Sequence, residues 1–199
     1  YEALEALPAD GKAGDREVLC ATTEVGTLEP FYCPEDARLV ACGLPMADGL
    51  TLCVYINKEE KACADLVNAA GVRVDHVELA ELAGQSDFSA VARPRSTDHD
   101  AVLHIYGDDY SGYLTALRVE NGSFALHQCL PVGESVYLRN AEAAVLNTAG
   151  DALLIATPEY TTVGEGGADN AYNMYQTGTL LLVCPLDGSG TRYRGRLNT

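Results

Sequence analysis

The chain has 199 residues, enough for one large domain or two small ones, and 47% are hydrophobic, too many for a disordered polymer. Its 29 acidic and 13 basic side chains leave a formal net charge of −16. That surface repels phosphate backbones and anionic lipid, which excludes nucleic acid as a partner of the bulk surface and favours a basic protein or a cation. No apolar run approaches the ~18–20 residues that cross a bilayer as a helix, so no membrane insertion is expected.

Residues 1–16 are rich in Ala, Glu and Gly, include Pro8 and Gly11, and predict a loose arm ahead of a β domain over 17–199. Within that domain a short pattern recurs. Asp36-Ala37-Arg38-Leu39-Val40-Ala41 returns as Asp100-Ala101-Val102-Leu103-His104-Ile105 and again as Asp151-Ala152-Leu153-Leu154-Ile155-Ala156. Each copy precedes a strand expected to open with glycine: Gly49 to Ile56, Gly112 to Val119, and Gly178 to Cys184. Two of these run into hairpin chemistry, Asn121-Gly122 and Asp187-Gly188, because both residue types tolerate positive φ. Outer strands follow at Phe124 to Leu130 and Thr191 to Leu197.

After the first copy the pattern changes. The segment Glu59 to Ala70 (EEKACADLVNAA) predicts a helix, with Ala62, Leu66, Ala69 and Ala70 on one side and Gly71 as its stop. Val72 to Leu79 then predicts a strand, and the helix-containing insert spans about 58–80. The stretch Thr161 to Gln176 predicts a long polar loop with Tyr160, Tyr172 and Tyr175 at its edges. In Thr191 to Arg196, alternation predicts Arg192, Arg194 and Arg196 on one solvated face.

The expected fold is mostly β: antiparallel blade-like repeats forming a β-propeller or part of one, with one short helical insert. Asp151 to Tyr160, followed by Gly178 to Leu186, resembles a blade of the FG-GAP type, which builds the propeller of integrin alpha chains. The resemblance is best over residues 140–197, with echoes at 36–56 and 100–119. It implies a propeller and a role in cell adhesion. The calcium-bearing blades of that family carry several carboxylates just before this strand. Leu146 to Gly150 carries none, so calcium does not transfer to this loop.

Asp98, Asp100, Asp108 and Asp109 gather around one hairpin, where oxygen-rich clusters suit calcium and the nearby His99 and His104 suit zinc. The alternative is that these aspartates cap local turns. The seven cysteines form no C-x-x-C pair, and most read as buried thiols; the alternative is one or two bridges, with the odd cysteine pairing with another chain. His127 near Cys129 has the elements of an acyl-transfer pair, against a half-buried histidine beside a core cysteine. Asn121-Gly122-Ser123 is a glycosylation acceptor sequence and equally a hairpin turn.

Two functions follow. One is a non-enzymatic protein-interaction or scaffold module, without a cofactor and part of a larger protein or complex. It would use Tyr160, Tyr172, Tyr175 and the three arginines as its contact surface. The alternative is a propeller-type hydrolase or lyase, with Asp36, Asp100 and Asp151 converging on an acidic, metal-binding central cleft.

Overall fold

The computed structural model describes residues 19–22, 28–81, 91–106, 112–133, 135–163 and 173–198. The arm over residues 1–16 lies outside them, as do Asp108, Asp109 and Tyr172.

Asparagine and glycine make the turns that fold this chain into meanders. Asn57 Oδ1 accepts from the amides of Glu59 and Lys61 at 3.0 and 2.9 Å, which closes the turn between β4 (Thr51–Asn57) and β5 (Lys61–Val67). Asn68 repeats the device toward Ala70 and Val72, both at 3.0 Å, and leads into β6 (Arg73–Glu81). At Asn121 and Gly122, φ of 52° and 79° gives the two positive values that a tight hairpin turn requires.

With β3 (Ala37–Pro45), the first sheet has strand order β3-β4-β5-β6. The second sheet is the same antiparallel meander: β7 (Val91–Ser96), β8 (Asp100–Tyr106), β9 (Gly112–Glu120) and β10 (Ser123–Pro131). A helical turn, Val136–Arg139, leads to the third: β11 (Ala143–Leu146), β12 (Ala152–Val163), β13 (Asn173–Pro185) and β14 (Arg192–Asn198). A two-stranded ribbon, β1 (Leu19–Thr22) with β2 (Leu28–Tyr32), precedes them.

Alternation then builds the interior. In β4 and β5 the even-numbered Leu52, Val54, Ile56, Ala62, Ala64 and Leu66 pack against Ala101, Leu103, Ile105, Leu117 and Val119 of the second sheet. The opposite face of the second sheet, with Val102, Leu114 and Ala116, packs against Leu153, Ile155, Leu180 and Leu182 of the third. The odd-numbered Cys53, Tyr55, Cys63 and Val67 form a further cluster on the outer face of the first sheet, joined by Tyr32 and Cys33. Each fully buried leucine or isoleucine contributes roughly 1.5–3 kcal/mol of transfer free energy.

The predicted helix at Glu59 to Ala70 is instead the hairpin strand β5. Residues Ala62 to Val67 are buried on both faces, so apolar side chains point both ways, only Asp65 breaks the run, and the period of two is hidden. Gly71, read as a helix stop, is the positive-φ residue of the β5–β6 turn. The predicted insert over 58–80 therefore supplies the third and fourth strands of the first sheet.

All three Asp-led segments do pair with the strand that follows them, but they are not equivalent. The first is β3, an edge strand, whereas the second and third are β8 and β12, each the second strand of its sheet. The strand that matches them by position is β4. Starts at residues 51, 100 and 152 give spacings of 49 (100 − 51) and 52 (152 − 100) residues. The predicted loop at 161–176 is shorter than expected, because β12 runs to Val163 and β13 begins at Asn173.

Candidate functional site

Asp65 lies in the middle of β5, on the face otherwise lined by Cys53, Tyr55, Cys63 and Val67, and is 0% exposed. An ionised carboxylate there costs several kcal/mol unless donors surround it. The Tyr32 hydroxyl donates to Oδ2 at 2.6 Å from the two-stranded ribbon, and the Tyr55 hydroxyl reaches Oδ1 at 3.5 Å. His76 Nδ1, on the neighbouring strand, lies 2.6 Å from Oδ1. Arg73 adds its guanidinium at 3.7 Å.

A β-bulge brings the two β6 side chains to one carboxylate. Three residues apart, Arg73 and His76 would occupy opposite faces of a regular strand. The register pairs Asp65 with His76 and Leu66 with Asp75, then slips so that Val67 faces Arg73, leaving Val74 as the extra residue. That insertion returns Arg73 to the side of His76, a common use of bulges to re-aim a side chain.

The electrostatics follow from the burial. Desolvation, then the hydrogen bond to Asp65, pushes the Tyr32 phenol well above its ordinary pKa, and desolvation followed by the Asp65 charge does the same to Tyr55. The Asp65 carboxylate holds Arg73 more firmly in its charged form. Burial is also the main force pushing the nearby Cys63 thiol up to about 12, so it is a packed hydrophobe and not a nucleophile.

A second polar cluster joins the second and third sheets. Arg118 of β9 grips Asp100 through Nε at 2.7 Å and Nη2 at 3.1 Å. The same guanidinium donates to the carbonyls of Asn147 and Thr148 at 3.1 and 3.2 Å. Asp100 is thus committed to an ion pair. Asp98 is exposed, and its carbonyl accepts from the Ala47 amide at 2.6 Å. Asp36 is exposed in the turn before β3, and Asp151 is held by Asn147 Nδ2 at 2.6 Å. Among the described residues no group of three or more His, Cys, Asp or Glu is placed to hold a metal ion.

The remaining predicted residues separate. Tyr160 and Tyr175 are exposed strand residues of the β12–β13 hairpin, not loop residues. Tyr160 pairs with Gln176 and Tyr175 with Thr161, so the two rings leave opposite faces. The three arginines do not share one face, because the β13–β14 register slips between Leu181 and Leu182 and makes Arg194 the extra residue. Arg196 pairs with Glu159 at 2.6 Å, Arg194 lines an apolar groove, and Arg192 lines a polar pocket with Gln128 and Asp151. Cys129 is bonded to Thr115 Oγ1 at 3.1 Å and to the Leu79 carbonyl at 3.0 Å, and burial raises its pKa. His127, expected to be half-buried beside it, is exposed. Cys33, Cys53, Cys63, Cys129 and Cys184 are free thiols.

One further surface is left open by the described residues. The outer face of the third sheet holds a groove of about 390 Å³ lined by Ala143, Val145, Leu154, Ala156, Leu181 and Val183, with Arg194 at its edge. Val145 and Leu154 are 47% and 44% exposed there.

Set beside protein-family models, curated proteins and solved structures, the chain matches none of them.

Proposed function

We propose that the chain is a protein-interaction module: a stack of blade-like sheets of the β-propeller type, whose third sheet docks a sheet of a separate partner protein. The carrying observation is the apolar outer face of that sheet, where Leu154 and Val145 stand exposed over the Ala143–Ala156 hollow. Exposed aliphatic patches of this kind mark docking surfaces.

The occupant is argued by continuity. Leu154 and Ala156 of β12, with Leu181 and Val183 of β13, sit where Val102, with Leu114 and Ala116, sit in the second sheet. Those second-sheet residues already pack against a sheet. An antiparallel sheet with an aliphatic face therefore fits the groove, with a carboxylate set against Arg194. Arg194 at the groove and exposed tyrosines farther along β12 and β13 are interface residues, and they favour a separate protein over an intrachain contact. A second copy is disfavoured by the net charge of −16, which makes copies repel. The FG-GAP resemblance supports the same architecture.

A photo-crosslinking residue at position 154, in the protein produced in its native host, tests this reading, with the same residue at position 120 as control. The expected adduct appears at 154 only and carries a partner peptide of alternating aliphatic residues. Leu181→Glu should abolish it without lowering the melting temperature. An adduct to a second copy, to the same polypeptide or to a helical peptide, or none above the control, overturns the proposal.

A further inference from the structure

The Asp65 cluster lies on the opposite side of the stack from the docking groove, and nothing in the interaction reading uses it. Its geometry is that of an oriented base. With Nδ1 donating to a carboxylate that water does not reach, the His76 ring in its neutral form has its lone pair on Nε2. The side chain remains 38% exposed, so that edge of the ring meets solvent. Asp65 cannot swing away, because Tyr32 and Tyr55 hold its two oxygens. Arg73, 51% exposed, brings its guanidinium to 3.7 Å from the other oxygen of the same carboxylate.

We infer that His76 is a general base, oriented by Asp65, in a site that hydrolyses uncharged carboxylic esters, with Arg73 as the oxyanion donor. Water loses a proton to His76 Nε2 as its oxygen bonds to the ester carbonyl carbon. The carbonyl π pair moves onto oxygen, where the guanidinium N–H groups donate to the developing charge. Collapse breaks the carbon–alkoxy bond, and the leaving alkoxide takes the proton back from Nε2. Water and ester become acid and alcohol, and His76 ends as it began. An uncharged substrate is specified because the Asp65 carboxylate, within a chain of charge −16, disfavours an anion.

The test is multiple-turnover hydrolysis of 4-nitrophenyl acetate by the full chain. His76→Gln should lower the rate at least about 100-fold, the lower end of general-base contributions. His99→Gln, at an exposed histidine, should change it less than about twofold, the background of an unoriented imidazole. Arg73→Gln should lower kcat with KM unchanged, as loss of a contact made only in the transition state requires. Near-UV circular dichroism establishes that each variant is folded. Nitrogen-15 shifts of the unaltered protein should independently show His76 as the Nδ1–H tautomer. Equal losses at His76 and His99, or an Nε2–H ring, overturn the inference and leave the docking proposal untouched.

Discussion

Replacing Arg118 by Met keeps an aliphatic stem but removes every polar contact between β9 and the turn at 147–150. Four hydrogen bonds go: two to Asp100, at 2.7 and 3.1 Å, and two to the carbonyls of Asn147 and Thr148. Charge-assisted bonds contribute about 1.5–3 kcal/mol each and are not additive, and breaking a buried pair costs about 3–5 kcal/mol. Both side chains here are 18% exposed, so water partly replaces the lost partner. The expected loss is about 2–3 kcal/mol. With a urea slope of about 2 kcal/mol/M, the midpoint falls by roughly 1 M. Asp100→Asn completes a double-mutant cycle, which should return a coupling above about 1 kcal/mol. A single-variant loss below about 0.5 kcal/mol, the range of an ordinary surface change, would refute the view that Arg118 ties the two sheets together, and an additive cycle would refute the Arg118–Asp100 pair as a stabilising contact.

Stability should also fall in alkali. Cys63 is held protonated up to about 12, chiefly by burial, and Tyr32 and Tyr55 are raised too, whereas an unfolded thiol ionises near 8.5 and a phenol near 10. The folded state then binds more protons than the unfolded state above about pH 8.5. The stabilisation is complete below that pH and is lost as pH climbs toward the folded values. Urea midpoints between pH 7 and 11 should decline steadily from about pH 8.5, and a flat series would contradict the burial argument. Gly112→Ala should be severe, because a Cβ there collides with the Ile105 carbonyl oxygen and meets Tyr106 Cα at 2.7 Å. The backbone of β8 must retreat, at about 3 kcal/mol or more, which thermal melting would register as a large drop.

The legible parts of the sequence were those with contrast. In β10 the exposed and half-buried residues alternate, and Asn121-Gly122 marks the turn before it, so strand and hairpin were both readable. In β5 the same period of two was present but invisible, since Ala62, Ala64 and Leu66 feed one core and Cys63 and Val67 another. Reading β5 as a helix hides Asp65, the one carboxylate of that strand. His76 was placed on a strand, but its partnership with Asp65 depends on a hairpin turn at Asn68 and on the bulge at Val74. An acidic residue amid an otherwise apolar strand run was the signal available. The arginine stripe failed for a related reason: alternation holds only until a bulge, and Arg194 is one.

The serial arrangement of the clusters has a consequence for how this molecule comes apart. The first sheet is cemented to the second and the second to the third, so among the described residues cohesion runs from layer to layer. In such an array each layer borrows its persistence from its immediate neighbours. The middle layer, sandwiched twice, should hold its amide protons longest, while unravelling begins at the two ends. Both proposed sites belong to those end layers, where opening costs least and where a visiting molecule most readily gains entry.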